Sequence, residues 1–328
     1  MASAQRLHWD SDGLDWPHRE ASRFVTAAGL RWHVQQFGPP SSIAIAESTE
    51  SITATADTAA ARPVALLIHG TGASTHSWRG LAPLLAAHFN VLALDLPGHG
   101  FTDMPVGGPT SAQLSLPGMA GAISRLLQTL GLRPALVVGH SAGAAIGVRM
   151  CLDGAIAPHT LLSLNGAFLP LGGVVGQLFS PVARLMAAAP FVPQLFSWRA
   201  ADPAVLQRLM DGTGSTLDST GMALYGKLVS NPGHAAGALG MMANWDLPQL
   251  AHDLYRLKTP IYLVVGSNDR TIAPRQASRV VALLPPAVRR PVIPLPGLGH
   301  LAHEEQPERV LNVILKAFAG ESPSVGSD

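Results

Sequence analysis

The chain has 328 residues, of which 47% are hydrophobic and 13% charged, and its net charge at pH 7 is +1. This near-neutral balance, without any run of Lys or Arg, argues against nucleic acid as the main partner. The single cysteine, Cys151, excludes an intramolecular disulfide and fits a reducing compartment. The polar N-terminus has no apolar signal segment, and no apolar run approaches the ~20 residues of a membrane span. We therefore expect a soluble, cytoplasmic protein without a transmembrane segment, whose excess of apolar residues would also suit peripheral contact with a membrane.

Short β-rich runs recur along the chain after an N-terminal extension over residues 1–22. A hairpin that turns at Gly29 is predicted first, and a Ser-, Thr- and Ala-rich segment at 39–62 is expected to be a flexible insertion. The predicted strands are 23–29, 30–38, 63–70, 90–98, 135–140, 160–166, 261–269 and 290–297, and helical stretches include 80–89, 116–132 and 308–320. Near-continuous apolar strands that alternate with helices are typical of a mostly parallel sheet covered on both faces, which is an α/β fold.

The alternation of strands and helices stops between residues 166 and 250. Three dipeptides in this stretch, Ser180-Pro181, Asp202-Pro203 and Asn231-Pro232, pair a good N-cap with Pro at the first helical position. They predict helices at about 181–189, 203–211 and 232–245. We therefore expect a helical cap over 166–250, inserted in a core formed by 23–165 and 251–320, with a tail at 321–328.

One serine lies where a predicted strand turns into a predicted helix. Ser141 has Gly139 and Gly143 on either side, in the sequence GHSAG. A tight turn strains the backbone of the serine, and side chains at the two glycine positions would collide with the neighbouring strand and helix. A close-packed helix start would give the same pattern, so the motif needs support from the rest of the chain.

That support comes from two residues that follow the last two predicted strands. A serine hydroxyl needs a base to take its proton, and the base needs a third group to orient it. Asp269 follows the strand at 261–269, and His300 follows the strand at 290–297 in a glycine-flanked loop. The order Ser, Asp, His along the chain is that of a hydrolase triad built on an α/β sheet. Taken singly, Asp269 could merely cap a turn and His300 could bond backbone.

An oxyanion hole is predicted from the loop after the strand at 63–70, which reads His69-Gly70-Thr71-Gly72. We expect the backbone N–H groups of Thr71 and Ala142 to form it, with Gly72 as the alternative to Thr71. The residues predicted to line the pocket or the cap are Trp78, His140, Phe168, Met241, Met242 and Trp245. His303 is expected to bond backbone near the base. No nucleotide-binding glycine motif and no zinc-ligand spacing is present, so neither a cofactor nor a metal is expected.

These motifs resemble those of the α/β-hydrolase fold family over about residues 23–320. The elbow GHSAG, the turn GSND that ends at Asp269 and the loop GLGH that ends at His300 match that family in type and order. The resemblance implies a central, mostly parallel sheet with an inserted cap, and a nucleophile, acid and base at Ser141, Asp269 and His300.

A narrower resemblance extends over both the core and the cap. The segments DWPHREASRFV (15–25), HGTGASTHSWRGLAPLL (69–85) and MMANWDL (241–247) are similar to those of the magnesium-chelatase accessory proteins of bacteriochlorophyll biosynthesis. This resemblance implies a role at or beside the insertion of magnesium into a porphyrin. It implies a small apolar acyl or porphyrin-like ligand, and magnesium-chelatase subunits as candidate partners.

Two classes of function follow. The first is a cofactor-independent serine hydrolase that cleaves an ester- or thioester-type acyl bond; a carbon–carbon bond hydrolase would use the same triad. The second is a non-catalytic accessory protein that binds a porphyrin or docks on magnesium chelatase, because a hydrolase fold does not by itself require hydrolysis.

Overall fold

The fold is built around one eight-stranded sheet, seen in a computed structural model that describes residues 6–38, 62–170, 189 and 191–321. The strands are β1 (Ser22–Ala27), β2 (Leu30–Phe37), β3 (Val64–Ile68), β4 (Asn90–Leu94), β5 (Pro134–His140), β6 (Thr160–Leu164), β7 (Ile261–Gly266) and β8 (Ile293–Leu295). Their spatial order is β1-β2-β4-β3-β5-β6-β7-β8, and the pairs from β4 to β8 are parallel. This confirms the predicted α/β fold.

The strands formed where apolar runs were predicted, although several are shorter than expected. The hairpin of β1 and β2 is antiparallel, and Gly29 at its turn has φ of +76°, which a glycine adopts without strain. Every residue of β4 and β6 is buried, as expected of strands covered on both faces. The predicted insertion at 39–62 lies outside the described residues except for its last residue.

Helices cover the two faces of the sheet. Those described are α1 (Trp9–Asp12), α2 (Leu81–Leu85), α3 (Leu116–Thr129), α4 (Ala142–Leu152), α5 (Phe191–Ala200), α6 (Pro203–Asp211), α7 (Ser219–Val229), α8 (Pro232–Ala243), α9 (Leu247–Asp253), α10 (Gln276–Leu283), α11 (Ala302–Glu305) and α12 (Pro307–Phe318). Helices α3, α4 and α10 contribute to one apolar cluster, and α2 and α12 contribute to a second. Because alternate residues of the buried strands enter opposite clusters, the molecule has three layers.

Helices α5 to α8 occupy the region where the cap was predicted, between β6 and β7. The predicted helix at 203–211 matches α6, and the one at 232–245 matches α8 with an end at Ala243. The prediction at 181–189 lies outside the described residues apart from residue 189. Helix α7 was not predicted; the side chain of Asp218 caps it by accepting from the Gly221 N–H, a cap without a following proline. Helix α9 (Leu247–Asp253) runs across residue 250, where the cap was predicted to end. The predicted bounds of the core and the cap stay a prediction.

The N-terminal segment connects the core to the cap. The indole N–H of Trp16 donates to Thr75 Oγ1 of the core at 3.1 Å. Lys227 of α7 donates to the Asp12 carbonyl oxygen at 2.9 Å and also pairs with Asp15. Trp16 packs with Leu224 and other apolar side chains of the cap. The first residues described therefore hold α7 against the sheet.

Within the residues that the structure describes, none of the helices combines the length and the apolar character needed to cross a bilayer.

Candidate active site

Ser141 lies on a strained turn between β5 and α4. Its φ is +50° and its ψ is −114°, a conformation that non-glycine residues rarely adopt. A Cβ at position 139 would lie 2.4 Å from the Ala144 Cα, and one at 143 would lie 2.0 Å from the Ile68 carbonyl oxygen. Glycine is therefore required at both places for α4 to pack this closely, which is the reason inferred from the sequence.

Asp269 and His300 form a buried hydrogen-bonded pair. The distance between His300 Nδ1 and Asp269 Oδ2 is 2.8 Å, and the two residues are each 6% exposed. Because a carboxylate can only accept, Nδ1 carries the proton, which leaves the lone pair on Nε2 in the neutral imidazole. The structure thus brings together two side chains that are 31 positions apart in the chain.

Further hydrogen bonds fix the Asp269 carboxylate. Oδ1 accepts the backbone N–H groups of Thr271 and Ile272, both at 2.8 Å, and Oδ2 also accepts from Asn165 Nδ2 at 2.6 Å. Asp269 therefore caps its own turn with one oxygen while the other oxygen holds His300. The turn cap that the sequence offered as the alternative is thus present together with the hydrogen bond to His300.

Ser141 and His300 meet at one cavity of about 290 Å³ between the core and the cap. Thr71, Gly72 and Ala142 also line this cavity, while Asp269 lies behind His300. Most of the remaining wall is apolar and comes from the cap, and it includes Phe196, Leu209, Met210, Val229, Ala235, Ala238, Met242, Trp245 and Leu247. A polar floor from the core and an apolar roof are typical of a site that binds a small, largely apolar molecule.

The loop after β3, His69-Gly70-Thr71-Gly72, here called the glycine loop, approaches Ser141 closely. A Cβ at Gly70 would lie 3.1 Å from the Cβ of Ser141 and 2.8 Å from Nδ1 of His140. Among the backbone hydrogen bonds of the described residues outside helices and strands, none is donated by Thr71 N or Ala142 N. The first N–H of a helix has no partner within that helix, so the Ala142 N–H is available to a ligand over Ser141.

The predicted pocket-lining residues divide into two groups. His140, Met242 and Trp245 do line the cavity. Trp78, Phe168 and Met241, which were predicted to line the pocket or the cap, are not among the residues that line this cavity. Trp78 is fully buried against the ring of His303, Phe168 belongs to the apolar core on one face of the sheet, and the sulfur of Met241 accepts a hydrogen bond from the Thr71 hydroxyl at 3.5 Å. Aromatic and sulfur-containing residues next to a cavity fill the core behind it as readily as they line it.

His140 supports the backbone of His300. Its Nε2 lies 2.9 Å from the His300 carbonyl oxygen and donates to it. Burial, reinforced by the neighbouring His303 and His300, holds the pKa of His140 well below its ordinary value, so the ring is neutral. His303 was predicted to bond backbone, but neither of its ring nitrogens has a partner among the described residues, and the ring instead packs between Trp78 and His140.

Three further residues contact this site without a clear sequence signal. Asn165, which supports Asp269, has φ of +51° and belongs to an Asn-Gly pair that indicates only a turn. His234 of α8 contacts the glycine loop, and Thr213 of the cap accepts the His300 N–H on its carbonyl oxygen at 3.0 Å. These contacts join distant parts of the chain, so no local pattern encodes them. Within the described residues, no group of three or more His, Cys, Asp or Glu side chains is arranged to hold a metal ion.

The parallel sheet, the serine turn and the buried acid–base pair define a class of protein. Residues 65–313 match the Alpha/beta hydrolase family, and the chain belongs to that family. The chain is also 33% identical over 306 residues to the protein named Magnesium-chelatase 30 kDa subunit from Rhodobacter capsulatus, covering 93% of this chain and 97% of that one. The narrower resemblance found in the sequence is thereby confirmed.

Solved structures share the fold at much lower identity. A putative lipase from Acinetobacter baumannii AYE superposes with a TM-score of 0.72 at 17% identity, covering 98% of each chain. A serine hydrolase involved in carbazole degradation gives 0.65 at 18% identity, covering 91% of this chain and 98% of that chain. These similarities concern the fold, and the chemistry of this chain has to be argued from its own residues.

Proposed function

We propose that this protein is a cofactor-independent serine hydrolase that cleaves an ester- or thioester-type acyl bond. The observation that carries the proposal is the convergence of Ser141 and the Asp269–His300 pair on one cavity whose floor also contains the glycine loop. Three side chains from three separate loops are the minimum set for nucleophilic acyl transfer.

In the proposed reaction, Ser141 Oγ attacks the substrate carbonyl carbon while His300 Nε2 takes the hydroxyl proton. Asp269 keeps the proton on Nδ1 and stabilises the imidazolium that forms. The N–H groups of Thr71 and Ala142 donate to the oxyanion. The tetrahedral intermediate collapses, and the leaving alcohol or thiol takes the proton from His300. Water then attacks the acyl-serine with His300 as base, which releases a carboxylic acid and restores Ser141.

The cavity supports a small apolar acyl group as the substrate. Its volume of about 290 Å³ is near the lower end of the ~300–1,000 Å³ of small-molecule sites. This size suits an acyl chain, or one side arm of a larger porphyrin-like molecule, better than an entire macrocycle. The relationship to a protein named as a magnesium-chelatase subunit supports a role in bacteriochlorophyll biosynthesis, beside the insertion of magnesium into a porphyrin.

Labelling with a fluorophosphonate probe tests the proposal. We expect covalent labelling of the native protein at Ser141, and loss of labelling in Ser141→Ala and His300→Ala. Ser278→Ala, which changes an exposed serine on α10, is the matched control and should label at the native rate. An unlabelled native protein of intact fold would contradict the proposal.

The second candidate function is non-catalytic binding of a porphyrin or of a magnesium-chelatase subunit, and the name of the relative favours it. A bacteriochlorophyll-producing strain in which the Ser141→Ala variant replaces the native protein distinguishes the two functions. Full pigment synthesis in that strain would support binding, whereas a block with an accumulated precursor would support catalysis. A carbon–carbon bond hydrolase would be recognised by labelling at Ser141 combined with an inability to hydrolyse esters.

A further inference from the structure

One face of cap helix α8 rests on two loops of the core. His234, Gly237 and Met241 lie at positions i, i+3 and i+7, which places them on the same face of the helix. His234 Nε2 lies 3.0 Å from the Gly72 carbonyl oxygen, and Met241 accepts the hydroxyl hydrogen bond of Thr71. Gly237 permits the close approach, because a Cβ there would lie 2.0 Å from the Gly98 carbonyl oxygen.

The hydrogen bonds of His234 assign its proton. Nδ1 is 3.0 Å from the backbone N–H of Gly100 and accepts from it, so the ring proton lies on Nε2 and is donated to Gly72. The side chain is buried, and burial lowers the pKa of His234 to about 4. The imidazole is therefore neutral at neutral pH, with one donor and one acceptor, and both are used.

Two histidines hold the glycine loop, one from each part of the protein. His69 of the core accepts the Leu96 N–H on Nε2, so its Nδ1 donates to the Gly70 carbonyl oxygen at 2.7 Å. Ala73 N also donates to that oxygen at 3.2 Å. In a trans peptide the N–H points opposite to the C=O, so holding the Gly70 oxygen turns the Thr71 N–H away from His69 and Ala73. His234 holds the other end of the same turn at Gly72.

We propose that His234 is a positioning residue for the oxyanion hole: its Nε2–H bond to the Gly72 carbonyl oxygen fixes the turn Gly70–Ala73, and so directs the Thr71 N–H at the substrate oxygen. The inference rests on the proposed hydrolase function of Ser141. Donors of an oxyanion hole act because they are already oriented before the reaction, so a loosened turn lowers the rate of acyl transfer more than it weakens substrate binding.

The same helix also faces the substrate. Ala235, Ala238 and Met242, each one position after the three loop-facing residues, line the cavity, and the ring of His234 borders it as well. Helix α8 therefore carries the roof of the acyl site on one side and the support of the oxyanion loop on the adjacent side. A change in the position of α8 would alter the roof of the acyl site and the support of the oxyanion loop at once.

Two amide substitutions at one position separate the two hydrogen bonds of His234. In His234→Gln the amide nitrogen reaches the place of Nε2 and retains a donor for Gly72. In His234→Asn the shorter side chain places its oxygen near Nδ1, so it retains the acceptor for Gly100 and loses the bond to Gly72. The matched control is Asn231→Ala, which removes the side-chain cap of α8 at 2.9 Å from the His234 N–H without touching the glycine loop.

The measurements are the rate of fluorophosphonate labelling at Ser141, the kcat and KM for a p-nitrophenyl ester, and Tm. We expect His234→Asn to lower kcat and the labelling rate about 10- to 100-fold while KM changes less than about threefold, because displacing a catalytic donor by about 1 Å costs up to ~100-fold. His234→Gln should stay within about threefold of the native kcat. Asn231→Ala should lower Tm and leave kcat unchanged.

Three results would overturn the inference. The first is a native kcat and a native labelling rate in His234→Asn. The second is an equal loss of kcat in His234→Gln and His234→Asn. The third is a matching loss of kcat in Asn231→Ala, which would assign the effect to helix stability. Failure of the native protein to label at Ser141 is a different result, because it would remove the proposed hydrolase function and this inference together with it.

Discussion

Glu304 is a buried carboxylate shared between the core and the cap. It lies on α11, three positions before the start of α12 at Pro307, and its side chain is fully buried. Arg79 of the core donates to Oε2 at 2.8 Å, and the hydroxyl of Tyr225 on α7 donates to Oε1 at 2.8 Å. Arg79 also donates to Asp218, which caps α7. The protonation state of this one carboxylate therefore affects how firmly α7 is held on the core.

Burial raises the pKa of Glu304 from its ordinary value of 4.5 to about 7, and the opposing attraction of Arg79 and the hydrogen bond from Tyr225 are smaller effects. A raised pKa means that folding favours the protonated form. The cost is absent below pH 4.5, grows as pH rises through this interval and is complete above about pH 7. Because a tenfold change in a protonation equilibrium is worth about 1.4 kcal/mol, the full cost is on the order of 3 kcal/mol.

Glu304→Gln makes this cost measurable. The amide still offers an oxygen to Tyr225 but cannot ionise, so it pairs poorly with Arg79 at every pH. We expect the free energy of unfolding of the native protein, minus that of Glu304→Gln, to fall by up to about 3 kcal/mol between pH 4.5 and pH 8. Urea unfolding at four pH values measures this difference, and subtraction removes the contribution of the other titrating groups.

Glu308→Gln, a change at an exposed carboxylate on α12, is the control for the loss of one negative charge, and the fall seen for Glu304→Gln should exceed any change that it shows. A flat difference for Glu304→Gln would refute the reasoning. A difference that grows with pH would show that attraction to Arg79 outweighs burial, so that the pKa of Glu304 lies below 4.5 and its ionised form stabilises the cap.

Two further predictions concern the proposed reaction. Asp269→Asn should lower the labelling rate at Ser141 about 10³- to 10⁴-fold, because the Thr271 and Ile272 N–H groups fix the amide oxygen at the Oδ1 position and turn the amide nitrogen toward His300. Native labelling in this variant would remove Asp269 from the mechanism. Ala238→Leu adds three carbon atoms to the cavity wall and should raise KM about fourfold for each acyl methylene it excludes, since a buried methylene is worth about 0.8 kcal/mol. A series of p-nitrophenyl esters from acetate to octanoate tests this, and an equal KM across the series in native and variant protein would contradict the assigned acyl site.

The sequence predicted the sheet because its strands depend on local signals. Near-continuous apolar runs marked the parallel strands, and every predicted strand has a counterpart in the sheet. The pair Gly139 and Gly143 was predictable because the close packing of α4 against the end of β5 and against β3 leaves no space for a Cβ at either place. The carboxyl ends of parallel strands meet at one edge, so the chain order of Ser141, Asp269 and His300 predicts one shared site; the structure pairs Asp269 with His300 and places Ser141 and His300 at one cavity.

What the sequence did not predict depends on pairs of distant residues. His234 and Gly72 are 162 positions apart, and Tyr225 and Glu304 are 79 apart. Each of these residues is ordinary in its own segment, and only the docking of the cap gives it a partner. The positions of Trp78, Phe168 and Met241 outside the cavity lining were not predicted for the same reason, because composition shows that a side chain is apolar but not which side of a cavity wall it occupies.

The cap is part of the support of the site as well as its cover. The carbonyl oxygen of Thr213, between α6 and α7, accepts two hydrogen bonds from the core. The donors are the backbone N–H of His300 at 3.0 Å and that of Arg270 at 3.3 Å. His234 holds Gly72 in the glycine loop. A cap that swung away as one rigid lid would break these hydrogen bonds and release the loop of His300, the loop of Asp269 and Arg270, and the glycine loop together. Phe196 and Leu209 of the cap also line the cavity and are 38% and 39% exposed, so we expect a substrate to enter beside them without breaking these hydrogen bonds.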